Sequence, residues 1–145
     1  MALEGPIIVI EDDPNDTDVI STALTELGVK NSIVTFNLAK EALAYLWETK
    51  EKPLLILSDV RMPEMDGLTL LQSIYSAEYL KKKSIPFIFF TVLASSDIIN
   101  RAYDLGVQGF YKKADNYTNL KDQLLSIVVY WKQCLHPNSE LEEPR

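Results

Sequence analysis

The sequence predicts an α/β fold: five strand–helix units, (βα)5, forming a doubly wound, five-stranded parallel sheet with helices on both faces. Three observations predict it. First, three short runs are apolar without alternation: Ile7-Ile8-Val9-Ile10, Leu54-Leu55-Ile56-Leu57 and Phe87-Ile88-Phe89-Phe90. Strands apolar on both faces belong in the middle of a parallel sheet, where helices cover each side. Second, segments with a helical apolar period separate these runs, which is the alternation that right-handed βαβ crossovers build. Third, the 145 residues make one ordinary domain, and 47% hydrophobic with 24% charged residues is a globular composition.

The elements follow in order. After the first strand, Val19, Ile20, Ala23, Leu24 and Leu27 form an apolar stripe that stops at Gly28, a residue suited to ending a helix. Residues 32–36 are mixed in character and read as an edge strand. Ala39, Ala42, Leu43 and Leu46 form the second helix, ahead of the central strand 54–57. Leu68, Leu70, Leu71 and Ile74 begin a third helix just after Gly67. Phe87–Phe90 is the fourth strand, and Ile98, Ile99, Ala102 and Leu105 make a fourth helix stopped by Gly106. Residues 107–111 are mixed again, a second edge strand. Leu120, Leu124, Ile127, Val128 and Trp131 form the last stripe. The flavodoxin-like order 2-1-3-4-5 puts both mixed strands at the edges. Residues 5–135 are read as the folded domain and 136–145 as a polar tail that frays. Lys81-Lys82-Lys83 reads as a solvated loop, and Trp47 and Trp131 as helix-packing residues.

Composition narrows the chemistry. A net charge of −7 argues against direct nucleic-acid binding and against anionic membranes. A single cysteine, Cys134, excludes an intramolecular disulfide, and a single histidine, His136, gives a zinc site or a Ser-His-Asp triad little to work with. No apolar run approaches the roughly 18 residues of a membrane span, and residues 1–6 lack a signal-peptide pattern, so a cytoplasmic protein with no membrane insertion is expected. Carboxylates must carry most of any chemistry.

In the expected order, the strand ends converge on one rim. Strand 1 ends in Glu11-Asp12-Asp13, strand 3 in Ser58-Asp59, strand 4 in Thr91 and strand 5 in Lys112-Lys113. Strand alternation sends only one of the two lysines inward, and the spacing from Gly109 favours Lys113. Packed carboxylates repel unless a cation joins them. Magnesium, with its taste for a few carboxylates, a carbonyl and several waters, fits such a rim. A carboxylate beside such an ion, a lysine and a hydroxyl is equipped to attack a phosphoryl group. Asp13 reads as a helix start, and Asp66-Gly67 as a turn leading into a helix.

These residues resemble the receiver domain of two-component response regulators, of the chemotaxis-regulator type. The resemblance rests on Val9-Ile10-Glu11-Asp12-Asp13, Leu57-Ser58-Asp59-Val60-Arg61-Met62-Pro63-Glu64-Met65-Asp66-Gly67, Phe90-Thr91 and Gly109-Phe110-Tyr111-Lys112-Lys113. It implies that Asp59 is the phosphoacceptor, that Asp12 binds Mg2+ (Mn2+ being an alternative) directly, and that Glu11 acts through a metal-bound water. The backbone carbonyl of Arg61 would complete the protein ligands. Thr91 and Lys113 would bind the phosphoryl group, and Phe110 is at the aromatic switch position that follows Thr91. The implied donor is a phosphohistidine on a sensor histidine kinase or a histidine phosphotransfer protein, and the output is altered binding of a downstream protein target. Slow autodephosphorylation is implied as well, without a turnover activity.

Two departures stand out. The family's lysine is usually followed by a cis proline. Here Ala114 follows, and because a non-proline cis bond costs about 2.5–4 kcal/mol, a trans bond is expected. Val92, after Thr91, is larger than the usual small residue and would narrow access. These departures leave room for a second reading, a receiver-like protein-binding module that is never phosphorylated. A flavoprotein is disfavoured, because the first strand–helix turn, Asp13-Pro14-Asn15-Asp16, is acidic and lacks a glycine-rich phosphate cradle. The stretch after Trp131 is too short for a DNA-binding helix pair, so the expectation is a stand-alone receiver acting through protein partners, or a piece of a longer chain.

Overall fold

The structure is a computed structural model that describes residues 2–136. A single 3-10 turn, Ala2–Glu4, precedes β1 (Ile7–Ile10), α1 (Pro14–Glu26), β2 (Ile33–Phe36), α2 (Ala39–Glu48) and β3 (Leu55–Ser58). Then come α3 (Gly67–Ser76), α4 (Glu78–Lys82), β4 (Phe87–Thr91), α5 (Ser96–Asp104), β5 (Gly109–Lys112) and α6 (Tyr117–Gln133). The sheet order is β2-β1-β3-β4-β5, with every pair parallel. The expected fold class and strand order are therefore those observed.

The unalternated runs have a direct explanation in the two cores. Ile8, Ile10, Ile56, Phe87 and Phe89 point to the face covered by α2 and α3. Their neighbours Ile7, Val9, Leu55, Leu57, Ile88 and Phe90 point to the face covered by α1 and α6. Both sides of each central strand are thus removed from water, and polar residues enter them only at the carboxyl ends, as Ser58 and Thr91. The strands β2 and β5 are only partly buried. Val19, at the margin of the first helical stripe, is exposed.

Local signals start and stop the helices. Asp13 caps α1 by accepting from the Asn15 N–H at 2.9 Å, with Pro14 next. Asp66 caps α3 from the Thr69 N–H at 2.8 Å, and Asn116 caps α6 from the Asn119 N–H at 2.8 Å. Gly28 and Gly106, at φ 79° and 94°, leave α1 and α5 through the left-handed region.

The lysine run is organised differently from its sequence reading. Lys81 and Lys82 belong to the short helix α4, and Lys83 folds back. Its ammonium donates to the carbonyls of Leu46 at 2.7 Å and Thr49 at 2.9 Å, and so caps the carboxyl end of α2. Unpaired carbonyls and the helix dipole both favour a cation there. It also lies 4.9 Å from the ring of Tyr79, which stacks on the half-exposed Trp47. Trp47 therefore packs helix to helix outside the core. Trp131 does pack against the core, and it holds His136: that imidazole is buried, with Nε2 2.7 Å from the Trp131 carbonyl. The remainder of the expected tail, 137–145, lies outside the described residues. Among the described residues, no helix is long and apolar enough to cross a membrane.

One glycine is demanded by close approach. A Cβ on Gly67 would stand 2.3 Å from the Asp59 carbonyl oxygen and 2.6 Å from the Phe89 ring. The loop after β3 is drawn this tight by a bond from the Gly67 N–H to the Val60 carbonyl, 2.7 Å long. Gly67→Ala is expected to cost about 1–3 kcal/mol through overpacking. Urea unfolding would show a lower midpoint at an unchanged slope, and an unchanged midpoint would contradict the contact.

Candidate functional site

The carboxyl ends of β1, β3, β4 and β5 form the rim, and three of the ladders run one residue past a strand. The Glu11 N–H donates to the Phe36 carbonyl at 2.9 Å, the Asp59 N–H to Ile10 at 3.0 Å, and the Lys113 N–H to Thr91 at 2.8 Å. Backbone hydrogen bonding thereby sets the positions of two carboxylates and the lysine. Glu11 is buried, Asp59 half-buried and Asp12 exposed. One carboxylate oxygen from each lies within 4.8 Å of the others.

Asp59 is held by neighbours on one oxygen. The Thr91 hydroxyl donates to Oδ1 at 2.5 Å, and the Val60 N–H donates to the same oxygen at 2.7 Å. The Thr91 oxygen in turn accepts from the Leu93 N–H at 3.1 Å. Thr91 itself is fully buried. Both of these bonds fall on Oδ1.

Lys113 turns inward and Lys112 outward, as strand alternation requires. The Lys113 ammonium lies 2.8 Å from Glu11 Oε1 and 3.5 Å from Asp16 Oδ2, so it reaches Glu11 and not Asp59 directly. Burial lowers the Lys113 pKa, but the Glu11 bond and the charges of Glu11, Asp59 and Asp16 outweigh it and hold the lysine above its ordinary value. Glu11 is pushed up to about 9, by burial first and then by the adjoining Asp59, with Lys113 opposing both. The proton that Glu11 binds does not break the pair, because the ammonium still donates to a neutral carboxyl. The second oxygen of Glu11, Oε2, is buried without a hydrogen-bond partner. An orphaned oxygen beside two further carboxylates is a donor set that suits a hard divalent cation.

This arrangement has a measurable consequence. Below pH 4.5 Glu11 holds its proton in both the folded and unfolded chains; between 4.5 and about 9 only the folded chain holds it. Folding then takes up a proton, so the metal-free protein loses stability as pH rises through that window. Glu11→Gln removes the titration. In EDTA, its melting temperature is expected to gain on wild type steadily from pH 5 to pH 9. A pH-independent difference would contradict the buried carboxyl.

The remaining residues fall around this cluster. Arg61 is exposed, two residues past Asp59 in the loop between β3 and α3. A 2.6 Å ion pair between Lys40 and Glu64 ties that loop to α2. Phe110 is half-buried on the sheet, 5.6 Å from Phe89 between ring centres. Val92 is 68% exposed and leans out from the rim. The Lys113–Ala114 bond is trans. Three contacts were missing from the sequence reading: Asp16 on Lys113, the Leu93 N–H on Thr91, and Gln123 against the backbone around Lys113. Of these, only Asp16 left a signal, as an acid in the first turn of the helix that follows Glu11-Asp12-Asp13.

A parallel 2-1-3-4-5 sheet with an acidic pocket on its carboxyl rim defines a signalling domain of the receiver class. The chain belongs to the response regulator receiver domain family, whose family model matches residues 7–125. It is 30% identical over 129 residues to the probable methanogenesis regulatory protein FilR2 of Methanothrix harundinacea, covering 86% of this chain and 82% of that one. It is 25% identical to response regulator Rcp1 of Synechocystis, over 86% of this chain and 87% of that one. Other relatives are much longer: the chain spans 8% of hybrid signal transduction histidine kinase D of Dictyostelium discoideum. Among solved structures, the phosphorylated cyanobacterial phytochrome response regulator RcpA superposes with a TM-score of 0.81 at 29% identity, over 92% of this chain and 98% of that one.

Proposed function

We propose that this receiver accepts a phosphoryl group on Asp59 from a phosphohistidine of a sensor kinase or phosphotransfer protein, in a Mg2+-dependent step, and thereby switches binding of a downstream protein. The observation that carries this reading is the environment of Asp59. One oxygen is fixed by Thr91 and Val60, the carboxylates of Glu11 and Asp12 lie beside it, and a buried ammonium is bonded to Glu11.

The Asp59 carboxylate supplies the electron pair for a new P–O bond while the P–N bond to the donor imidazole breaks, and the imidazole leaves with that bond's pair. Glu11, Asp12, Asp59 and the Arg61 carbonyl would hold the ion. When bound, it would offset charge on the phosphoryl oxygens and lower repulsion among the carboxylates. Thr91 can swing its proton from Asp59 to a phosphoryl oxygen without leaving the Leu93 N–H. Lys113 has to shift only from Glu11 toward the incoming charge. Attack of water on phosphorus would reset Asp59 and release phosphate. The face expected to respond is β4, α5, β5 and α6, with Phe110 following Thr91. The phosphorylated state of RcpA supports the same chemistry for this chain.

Acetyl phosphate with Mg2+ tests the reading without a cognate kinase. Uptake of one phosphoryl group, about 80 Da by intact mass, is expected. Failure with both acetyl phosphate and a phosphohistidine donor would favour the non-phosphorylated binding module.

A further inference from the structure

The side chain that secures the backbone around Lys113 is outside the pocket. Gln123 stands in the second turn of α6, half-buried. Its carboxamide makes two hydrogen bonds to one short stretch of chain. Oε1 accepts from the Ala114 N–H at 3.0 Å, and Nε2 donates to the Lys112 carbonyl at 2.8 Å. A peptide N–H only donates and a carbonyl only accepts, so the orientation of the amide is set by its partners. These two groups flank Lys113 on either side. The Lys113 N–H, between them, is tied to the Thr91 carbonyl. The lysine therefore leaves the strand with its backbone gripped from β4 on one side and from α6 on the other. Its side chain then runs inward, only 6% exposed, to Glu11.

Ala114 is what permits this grip. A proline there would have no N–H to offer. The chain departs from the family's lysine–proline pattern at the one position where the departure gives Gln123 a donor. We propose that Gln123 is a positioning residue for Lys113, its carboxamide clamping the backbone from which the lysine side chain departs. This rests on the phosphoacceptor reading of the pocket. A plain structural link between α6 and β5 is the competing account, and the two differ in whether the effect of Gln123 passes through Lys113.

A double-mutant cycle separates them. Gln123→Leu is expected to slow phosphorylation by acetyl phosphate about tenfold, the scale of two lost hydrogen bonds. In a Lys113→Met background the same change is expected to leave the residual rate unchanged. Equal slowing in both backgrounds would overturn the clamp. Gln123→Glu keeps an acceptor for the Ala114 N–H but loses the donor to Lys112, so it should fall between wild type and Gln123→Leu; it also serves if the leucine variant does not fold. A second readout needs no phosphorylation at all. In the unmodified protein, the Lys113 ammonium should give a protected NMR correlation that Gln123→Leu broadens or shifts to the solvent-exposed position. An unchanged correlation would sink the inference. If the wild type takes up no phosphoryl group while the correlation still responds, the phosphoacceptor reading fails and the clamp survives.

Discussion

Asp59→Asn is expected to abolish phosphoryl uptake while leaving the fold at least as stable as wild type. The amide oxygen can still accept from the Thr91 hydroxyl and the Val60 N–H, the two bonds that now fix Oδ1. Shape and packing are therefore kept. What is lost is the carboxylate electron pair that forms the P–O bond, and an amide is no substitute nucleophile. The stability effect has the opposite sign. Glu11, Asp12 and Asp59 crowd their oxygens within 4.8 Å of one another. Removing one negative charge relieves that repulsion. In EDTA the variant should melt a few degrees higher, and Mg2+ should raise its melting temperature less than it raises that of wild type. Intact mass after acetyl phosphate treatment is the deciding measurement. A gain of about 80 Da persisting in Asp59→Asn would move the nucleophile to another acid, Asp12 being the first to test.

The fold was legible because its signals are local and redundant. The runs 7–10, 54–57 and 87–90 lack alternation for the physical reason that both faces of β1, β3 and β4 are covered. Gly28 and Gly106 mark helix ends because only the left-handed region lets the chain turn there cheaply. The strand order came from matching to a known arrangement, since nothing in a strand's own residues names its neighbour. The pocket was legible for a related reason. Parallel strands all present their carboxyl ends to one rim, so Glu11, Asp12, Asp59, Thr91 and Lys113 converge once the order is assumed.

What was not legible depends on long side chains reaching across the sequence. Lys83 lies in a run of three like charges, and nothing in that run says that one ammonium will cap α2, thirty-four residues from Thr49. The 5 residues of α4 are too few to display a helical period. Gln123 is polar and stands among the apolar positions of α6, where it reads as an ordinary helix surface. Its role exists only because β5 ends eleven residues before it, at Lys112, beside the same helix. Charge pairing and capping over such distances are properties of the assembled fold, which a one-dimensional pattern does not encode.

Lys113→Met should separate what the lysine does for the fold from what it does for the chemistry. Lys113 is the only lysine or arginine buried among the described residues. A phosphoryl group brings about −1.5 to −2 of charge to the pocket. Without the ammonium, phosphorylation by acetyl phosphate is expected to slow about 10²–10³-fold, the usual scale for losing one preorganised electrostatic contact. The stability cost should be smaller than that of stranding a buried charge. Lys113 is one of the influences that lower the Glu11 pKa, and even with it present the carboxyl sits at about 9. Losing the lysine moves it higher still, so near pH 7 Glu11 keeps its proton and no bare carboxylate is left in the interior. A loss of about 1–3 kcal/mol is expected, from the hydrogen bond and the packing around it. Adding Glu11→Gln to Lys113→Met should then recover much of the stability, since a neutral amide beside a thioether leaves nothing to ionise. It should recover none of the rate, because the incoming charge still has no cation to meet. Recovery of both would make the lysine a structural partner of Glu11 alone. Recovery of stability without rate would assign the ammonium to the phosphoryl group, with Glu11 as the place where it waits.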